Sequence, residues 1–339
     1  MSDSHTATLD ADTAIPVMLR QILQPVQADL KDFDDEMRRW MSAKVRLLNV
    51  VCRYLRWQKG KQVRPALILL SAGAVGNVNQ AVHQAAASIE LLHTATLVHD
   101  DVVDSADTRR GFPSINWVWK NKVAVLVGDF LLAQSLRATL DIRRLDVLDM
   151  LSETTRRMSE GEMLQVQKRR NLHITEADYL QIIGGKTAAL FSAGCYLGAL
   201  LGEGSPEACQ ALRQYGEYLG LAFQITDDLF DYTGSASVIG KPMGVDTKNN
   251  PISLPLIHAF QEAPAAERRA MTKLLKKGGR KRDQSAIHDF CSQFHGIDYA
   301  AQKAQEYVRM AEGCLDQLEM SHCNRSLRGF LQLVINRQK

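Results

Sequence analysis

Apolar residues in this chain recur at three- and four-residue spacings over long stretches, and few runs alternate with a period of two. Nine prolines are spaced so that 66–112, 114–205, 207–241 and 265–339 contain none. Alanine, leucine, glutamine, glutamate, arginine and methionine dominate these gaps, and all are good helix formers. Glycine and proline mark the joints instead, at Gly60, Gly111-Phe-Pro113, Gly202 to Pro206 and Gly240 to Gly244. No repeat of 20–50 residues emerges, so a solenoid is excluded. The pattern predicts an all-α chain: a stub over 1–14, then one large helical bundle over 15–339.

Two stretches are apolar almost all round, as helices buried between neighbours are. The first, 79–106, ends in Asp100-Asp101-Val-Val-Asp104; the second, 211–232, ends in Asp227-Asp228-Leu-Phe-Asp231. Positions i and i+4 share a helical face, so Asp100 pairs with Asp104 and Asp227 with Asp231 as carboxylate claws. Both claws stand at helix C-termini, where the helix dipole disfavours negative charge. Burying six carboxylates there demands cations or basic partners. Mg²⁺ fits, because it takes a few carboxylates, keeps several waters and fills its remaining positions with substrate phosphates. The residues therefore point to magnesium-dependent chemistry on a diphosphate. A solvated acidic helix end is the bland alternative for either cluster alone.

Basic residues for such an anion are present. Gly60-Lys61-Gln-Val-Arg64-Pro65 opens a helix, where backbone N–H groups favour phosphate. Arg109-Arg110 follows the first claw and could grip a diphosphate bidentately. His93 lies one heptad before Asp100 on the same face, as a ligand contact or as a satisfied core histidine.

Bulk properties narrow the class. In a chain of 339 residues, a net charge of +3 argues against nucleic-acid binding. The run Lys276-Lys277-Gly-Gly-Arg280-Lys281-Arg282 reads as a solvated loop, or as a phosphate or membrane-surface contact. Six cysteines show neither CxxC pairing nor zinc spacing, and read as buried thiols in a reducing compartment. The N-terminus lacks a signal-peptide layout. The uncharged stretch Thr187 to Gly202 has 16 residues, short of the roughly 20 a membrane span needs. The expectation is a cytoplasmic protein with no transmembrane segment, open to peripheral membrane contact for product release.

The segments Gly60 to Pro65, His93 to Asp104, Arg109-Arg110-Gly111, Gly128-Asp129, Gly185-Lys186-Thr187, Gln224 to Tyr232 and Gly240 to Gly244, in this order, resemble the trans-isoprenyl (polyprenyl) diphosphate synthase family. The resemblance is nearest to its long-chain octaprenyl and nonaprenyl types, with a weaker echo at Ile335-Asn-Arg337. It implies the isoprenoid synthase bundle with a central cavity, a homodimer, and condensation of isopentenyl diphosphate with an allylic prenyl diphosphate. Two to three Mg²⁺ ions per site would be held by Asp100, Asp101, Asp104, Asp227, Asp228 and Asp231. Arg109, Lys186, Thr187, Gln224 and Lys241 would contact the allylic diphosphate, while Lys61, Arg64, His93 and Arg110 would clamp isopentenyl diphosphate. Asp100, Asp104, Lys186, Asp227 and Lys241 would carry the catalysis.

The same resemblance assigns product length to the cavity beneath the first claw. Ala95 and Thr96 are small where aromatics would close that cavity, and Leu92 lies a turn deeper, which implies a long-chain product. The glycines at 194, 198 and 202 form either a close helix seam or a tunnel wall. One departure stands out: Pro251 occupies the place of the family's loop lysine, with Lys248 three residues earlier, and the Lys168-Arg-Arg170 stretch is more basic than the family pattern. An intact second cluster argues against a terpene cyclase. A shorter-chain synthase and a non-catalytic regulatory subunit remain as alternatives.

Overall fold

A computed structural model describes residues 11–58, 60, 62–109, 111–169, 171–172, 174–233, 253–276 and 281–336. Lys61, Arg110, Arg170, Lys241, Lys248, Pro251 and Arg337, all singled out from the sequence, lie outside the described residues. The helices are α1 (Ala11–Leu23), α2 (Asp29–Trp40), α3 (Arg46–Trp57), α4 (Val63–Val75), α5 (Gln80–Val103), α6 (Ile115–Asp141), α7 (Leu145–Lys168), α8 (Glu176–Ile183), α9 (Ala189–Leu201) and α10 (Pro206–Thr233). After a gap come α11 (Leu254–Glu262), α12 (Ala265–Lys276), α13 (Lys281–Gln293), α14 (Gly296–Leu315) and α15 (His322–Asn336). The first helix begins four residues ahead of the boundary expected at Ile15. A two-residue hairpin, β1 (Thr108–Arg109) with β2 (Phe112–Pro113), is the one strand pair among the described residues. The fold is all-α, as the sequence pattern predicts.

Helix α5 forms the axis. It starts at Asn79, whose side-chain oxygen accepts from the Val82 N–H at 3.2 Å and satisfies one of the unpaired N-terminal donors. Alanines 85, 86 and 87 are fully buried, so α2, α4, α6 and α9 all pack against it. Where α5 meets α6, Ser88, Ser135 and Thr139 satisfy one another; Ser88 Oγ and Thr139 Oγ1 lie 2.6 Å apart. Such closed hydroxyl networks can be buried at little cost.

The glycine pattern in α9 resolves as a helix seam. A Cβ on Gly198 would stand 2.2 Å from the Ile68 carbonyl oxygen of α4, and one on Gly202 would stand 2.8 Å from the Ala72 Cα. Glycine is needed there for close backbone approach, and the tunnel-wall reading is not required. Helix α10 packs on α9 and α14, completing the interior.

By length and composition alone, α6 is long and apolar enough to cross a membrane. Its packing along α5 accounts for the buried part of that apolar character. All six cysteines are free, five of them buried. Burial pushes the Cys195 thiol up to about 12, which keeps it protonated and inert.

Candidate active site

Both aspartate clusters terminate their helices at one end of the bundle. Helix α5 stops at Val103, and the Asp104 N–H closes the last turn on the Asp100 carbonyl at 2.8 Å. The chain then turns through the short hairpin that carries Arg109. Asp104 from the first cluster and Asp228 from the second line one cavity of about 170 Å³, together with Gln165, Lys168, Arg169, Tyr179, Lys186 and Gln224. The sequence reading expected six buried carboxylates. Instead only Asp101 is buried, Asp100, Asp104, Asp227 and Asp228 are half-buried, and Asp231 is exposed. The clusters open onto the cavity mouth, where water and cations reach them.

The middle aspartate of each cluster is engaged by protein side chains. Asp101 takes two hydrogen bonds from the Arg109 guanidinium, at 2.9 Å from Nε and 2.5 Å from Nη2. Asp228 accepts from the Tyr179 hydroxyl at 2.7 Å and from the Gln224 amide at 2.9 Å. The Thr187 hydroxyl in turn donates to Gln224 Oε1 at 2.7 Å. Burial is the main cause that raises the Asp228 pKa to about 6, and the hydrogen bonds from Tyr179 and Gln224 oppose it. Asp101 and Asp228, expected among the metal ligands, also bond to Arg109 and to Tyr179 and Gln224 respectively. Asp100, Asp104, Asp227 and Asp231 retain the i, i+4 geometry of the claws.

Lys186 and Thr187 are delivered by a single π-turn, Gly184–Ala188, between α8 and α9. Such one-turn bulges are concentrated at functional sites because they re-aim side chains within a helix. Glycine makes this one fit: a Cβ on Gly185 would come within 2.7 Å of the Arg157 carbonyl oxygen of α7. Close contact with α7 also brings Glu162 to 2.7 Å from Lys186 Nζ. Burial first, and then the Glu162 carboxylate, raise the Asp100 pKa to about 6, against the pull of Lys186 and Arg109. A concentration of oxygen donors held partly out of water, with Asp100 and Asp228 more basic than a free carboxylate, suits a hard divalent cation. The donor set therefore fits a hard divalent cation such as Mg²⁺, which these carboxylates would hold.

Along α5 lies a second, smaller cavity of about 90 Å³, lined by Gly60, Gln62, His93, Asp101 and Arg109 over an apolar floor that includes Phe33, Met41 and Leu97. The Arg64 guanidinium donates to His93 Nε2 at 2.9 Å, which places the His93 proton on Nδ1. Arg64 also stacks over the Phe191 ring, 5.1 Å from its centroid. The guanidinium and imidazole are thus fixed before any anion arrives.

Beneath the first claw, Leu92 and Ala95 are buried and Thr96 is half-buried. Thr96 Oγ1 donates back to the His93 carbonyl, so its polar atom is satisfied within the helix.

Several site residues gave no sequence signal. Glu162, Gln165 and Tyr179 sit on α7 and α8 as single polar positions with no motif around them. Arg169 reaches Asp104 at 4.0 Å, and the local excess of basic residues at 168–170 was its only trace. Lys168 bonds Asp178 at 3.1 Å, so of the two described members of that stretch Arg169 faces the first cluster.

Known proteins share this fold and much of the sequence. The polyprenyl synthetase family model matches residues 45–291. An all-trans-nonaprenyl-diphosphate synthase (geranyl-diphosphate specific) from Rhodobacter capsulatus is 37% identical over 319 residues, 94% of this chain and 98% of that protein. The crystal structure of a decaprenyl diphosphate synthase from Rhodobacter capsulatus superposes with a TM-score of 0.89 at 35% identity, covering 95% of this chain and 99% of that one. A polyprenyl synthase from Caulobacter crescentus CB15, complexed with calcium and isoprenyl diphosphate, gives a TM-score of 0.88 at 29% identity over 95% and 98% of the two chains. The chain belongs to the polyprenyl synthetase family of prenyltransferases.

Proposed function

We propose that the protein condenses isopentenyl diphosphate with an allylic prenyl diphosphate to build a long-chain all-trans polyprenyl diphosphate. The observation that carries this reading is the meeting of both aspartate clusters at one cavity with Lys186 and Gln224. A second cavity, to which Arg56, His93 and Arg109 contribute, lies along the same helix α5. Two anion sites along one helix suit two diphosphate substrates.

In this reading Asp100, Asp101, Asp104, Asp227, Asp228 and Asp231 supply the ligands for two to three Mg²⁺ ions, which when bound neutralise the charge growing on the departing diphosphate. Lys186, Thr187 and Gln224 orient the allylic diphosphate, with Arg109 delivered from the hairpin and Lys241 completing the set. The allylic C–O bond breaks, and its electron pair leaves with the diphosphate. Hydrogen bonds from Lys186 and Arg109 stabilise that charge more than they stabilise the ground state. Arg64 and His93, with Lys61 and Arg110, clamp isopentenyl diphosphate so that its double bond attacks the allylic cation. A C–C bond forms, and the proton lost from the adduct passes to the released diphosphate. No protein nucleophile is needed, in keeping with a site of carboxylates, bases and amides.

Small Ala95 and Thr96 leave the space under the first claw unblocked by aromatic rings, so the chain lengthens past C20 before Leu92 and the layers below stop it. A homodimer is part of the reading. Val118, Val125, Leu126, Leu136 and Leu140 expose large apolar side chains along α6, and a second copy of the same face would cover them. The test is incubation with Mg²⁺, labelled isopentenyl diphosphate and farnesyl diphosphate, with product length read by chromatography.

A further inference from the structure

Outside the two cavities lies a third and larger cleft, of about 670 Å³, between the start of α8 and the helices α11 and α12. That volume falls in the range of small-molecule sites, roughly 300–1,000 Å³. Its walls divide by chemistry. Ile174, Ile257 and Phe260 supply an apolar floor, and Arg268, Arg269 and Lys273 supply the rim.

The rim comes from an unusual use of α12. Met271, Leu274 and Leu275 turn one face of this helix into a small core with Ile287, Phe290 and Cys291. The positions 265, 268, 269, 272 and 273 form a separate stripe at i, i+3, i+4, i+7 and i+8, and that stripe faces the cleft. It carries three cations and no carboxylate. Among the described residues, none of the three cations makes an ion pair; Arg269 Nε donates to the Ala265 carbonyl at 3.2 Å, within its own helix.

Ile174 also lines the cavity shared by the two aspartate clusters, so that cavity and the cleft have a wall residue in common. The capped start of α8 follows it directly. Ile174 precedes the N-cap Thr175, whose hydroxyl accepts from the Asp178 N–H at 3.1 Å while Asp178 accepts from the Thr175 N–H at 3.1 Å.

We propose that this cleft is a second binding site for an amphiphilic anion, a prenyl diphosphate lying with its chain on Ile257 and Phe260 and its head group among Arg268, Arg269 and Lys273. Apolar floor and unpaired cationic rim match the two halves of such a molecule, and the shared wall places the site beside the cavity where that molecule is made. The inference rests on the proposed synthase reading for its ligand class.

The experiment is photolabelling of the full chain with a farnesyl diphosphate analogue bearing a terminal benzophenone, in Mg²⁺, with labelled peptides mapped by mass spectrometry. The wild type is expected to carry label in peptides 172–175 and 254–276 as well as in aspartate-cluster peptides. The triple variant R268Q/R269Q/K273Q is expected to lose cleft labelling at least tenfold, with unchanged melting temperature, unchanged cluster labelling and unchanged single-turnover condensation. Dodecyl phosphate should displace the cleft label and dodecanol should not. Phe260→Ala should weaken cleft labelling without touching the charges. Cleft labelling equal in wild type and triple variant, or absent from a wild type that labels at the clusters, would overturn the site. Displacement by phosphatidylglycerol vesicles but not by monomeric dodecyl phosphate would also overturn it, in favour of a lipid surface. Condensation is scored separately: charge-dependent cleft labelling in a protein that condenses nothing keeps the site and removes the synthase reading.

Discussion

Replacing Asp100 with asparagine keeps the size of the side chain and removes its charge, and it should make the metal-free protein more stable. Burial and the neighbouring Glu162 raise the Asp100 pKa from 3.8 to about 6. At about 1.4 kcal/mol per unit, the ionised group costs the metal-free fold about 3 kcal/mol at pH 8. The sign follows from proton counts. Between about pH 4 and pH 6 the native state holds a proton that the unfolded chain has already lost, so wild-type stability falls as pH rises through that window. The asparagine amide has no proton to lose, so D100N should lack that part of the decline. With an unfolding entropy of ~2.1 cal/mol/K per residue, a chain of this length converts 3 kcal/mol into about 4 °C in melting temperature. The assay is thermal unfolding in EDTA at pH 5 and pH 8, repeated with Mg²⁺ and inorganic diphosphate. D100N should melt higher than wild type at pH 8 without metal, with a smaller gap at pH 5. Adding the ligands should raise the wild type more than the variant, since binding to the native state alone adds about 2.7 kcal/mol at a hundredfold excess over Kd. A D100N that melts at or below wild type in EDTA at pH 8 would refute the claim that Asp100 is held against its own electrostatics.

Other expectations follow from particular contacts. Tyr179→Phe removes the hydroxyl that bonds Asp228; the KM for the allylic diphosphate should rise about tenfold with little change in that for isopentenyl diphosphate, consistent with the ~1.4 kcal/mol of one hydrogen bond to a charged group, and equal rises for both would contradict it. Lys186→Ala should lower kcat/KM for the allylic substrate by about 10²–10³, the usual cost of losing a charge-stabilising donor, and steady-state kinetics would show it. Gly198→Ala drives a methyl group into the Ile68 carbonyl and should destabilise the fold by at least ~2 kcal/mol; a urea midpoint equal to wild type would show that the seam gives way. Ala95→Phe should shorten the main product to C20 or below on a product ladder, with first-addition rates kept.

Much of the architecture was written in the sequence for a plain reason. Helices α5 and α10 are long, apolar and unbroken by proline, and each ends in a charged cluster that nothing in a buried helix would otherwise tolerate. Glycine spacing in α9 was also legible, although its two readings could be separated only by placing Ile68 and Ala72 against it. What stayed hidden was supplied by neighbours in space. Glu162 and Gln165 are ordinary polar positions on α7, and only the π-turn at Gly184–Ala188 brings Lys186 against the first of them. Local patterning carries no trace of that turn. The protein partners of Asp101 and Asp228 were equally invisible, because a three-aspartate motif looks the same whichever side chains engage its middle member. Burial was overestimated for a related reason: apolar helices were read as buried along their whole length, whereas both emerge at the cavity mouth.

The central claim is chain elongation at the paired aspartate clusters. It is tested most directly by giving purified protein Mg²⁺, labelled isopentenyl diphosphate and farnesyl diphosphate, beside an Asp100→Ala variant. A ladder of products extending well beyond C20 in the wild type, and lost in the variant, is the expected result. No incorporation by the wild type, with the variant behaving identically, would contradict the account and favour a non-catalytic partner subunit.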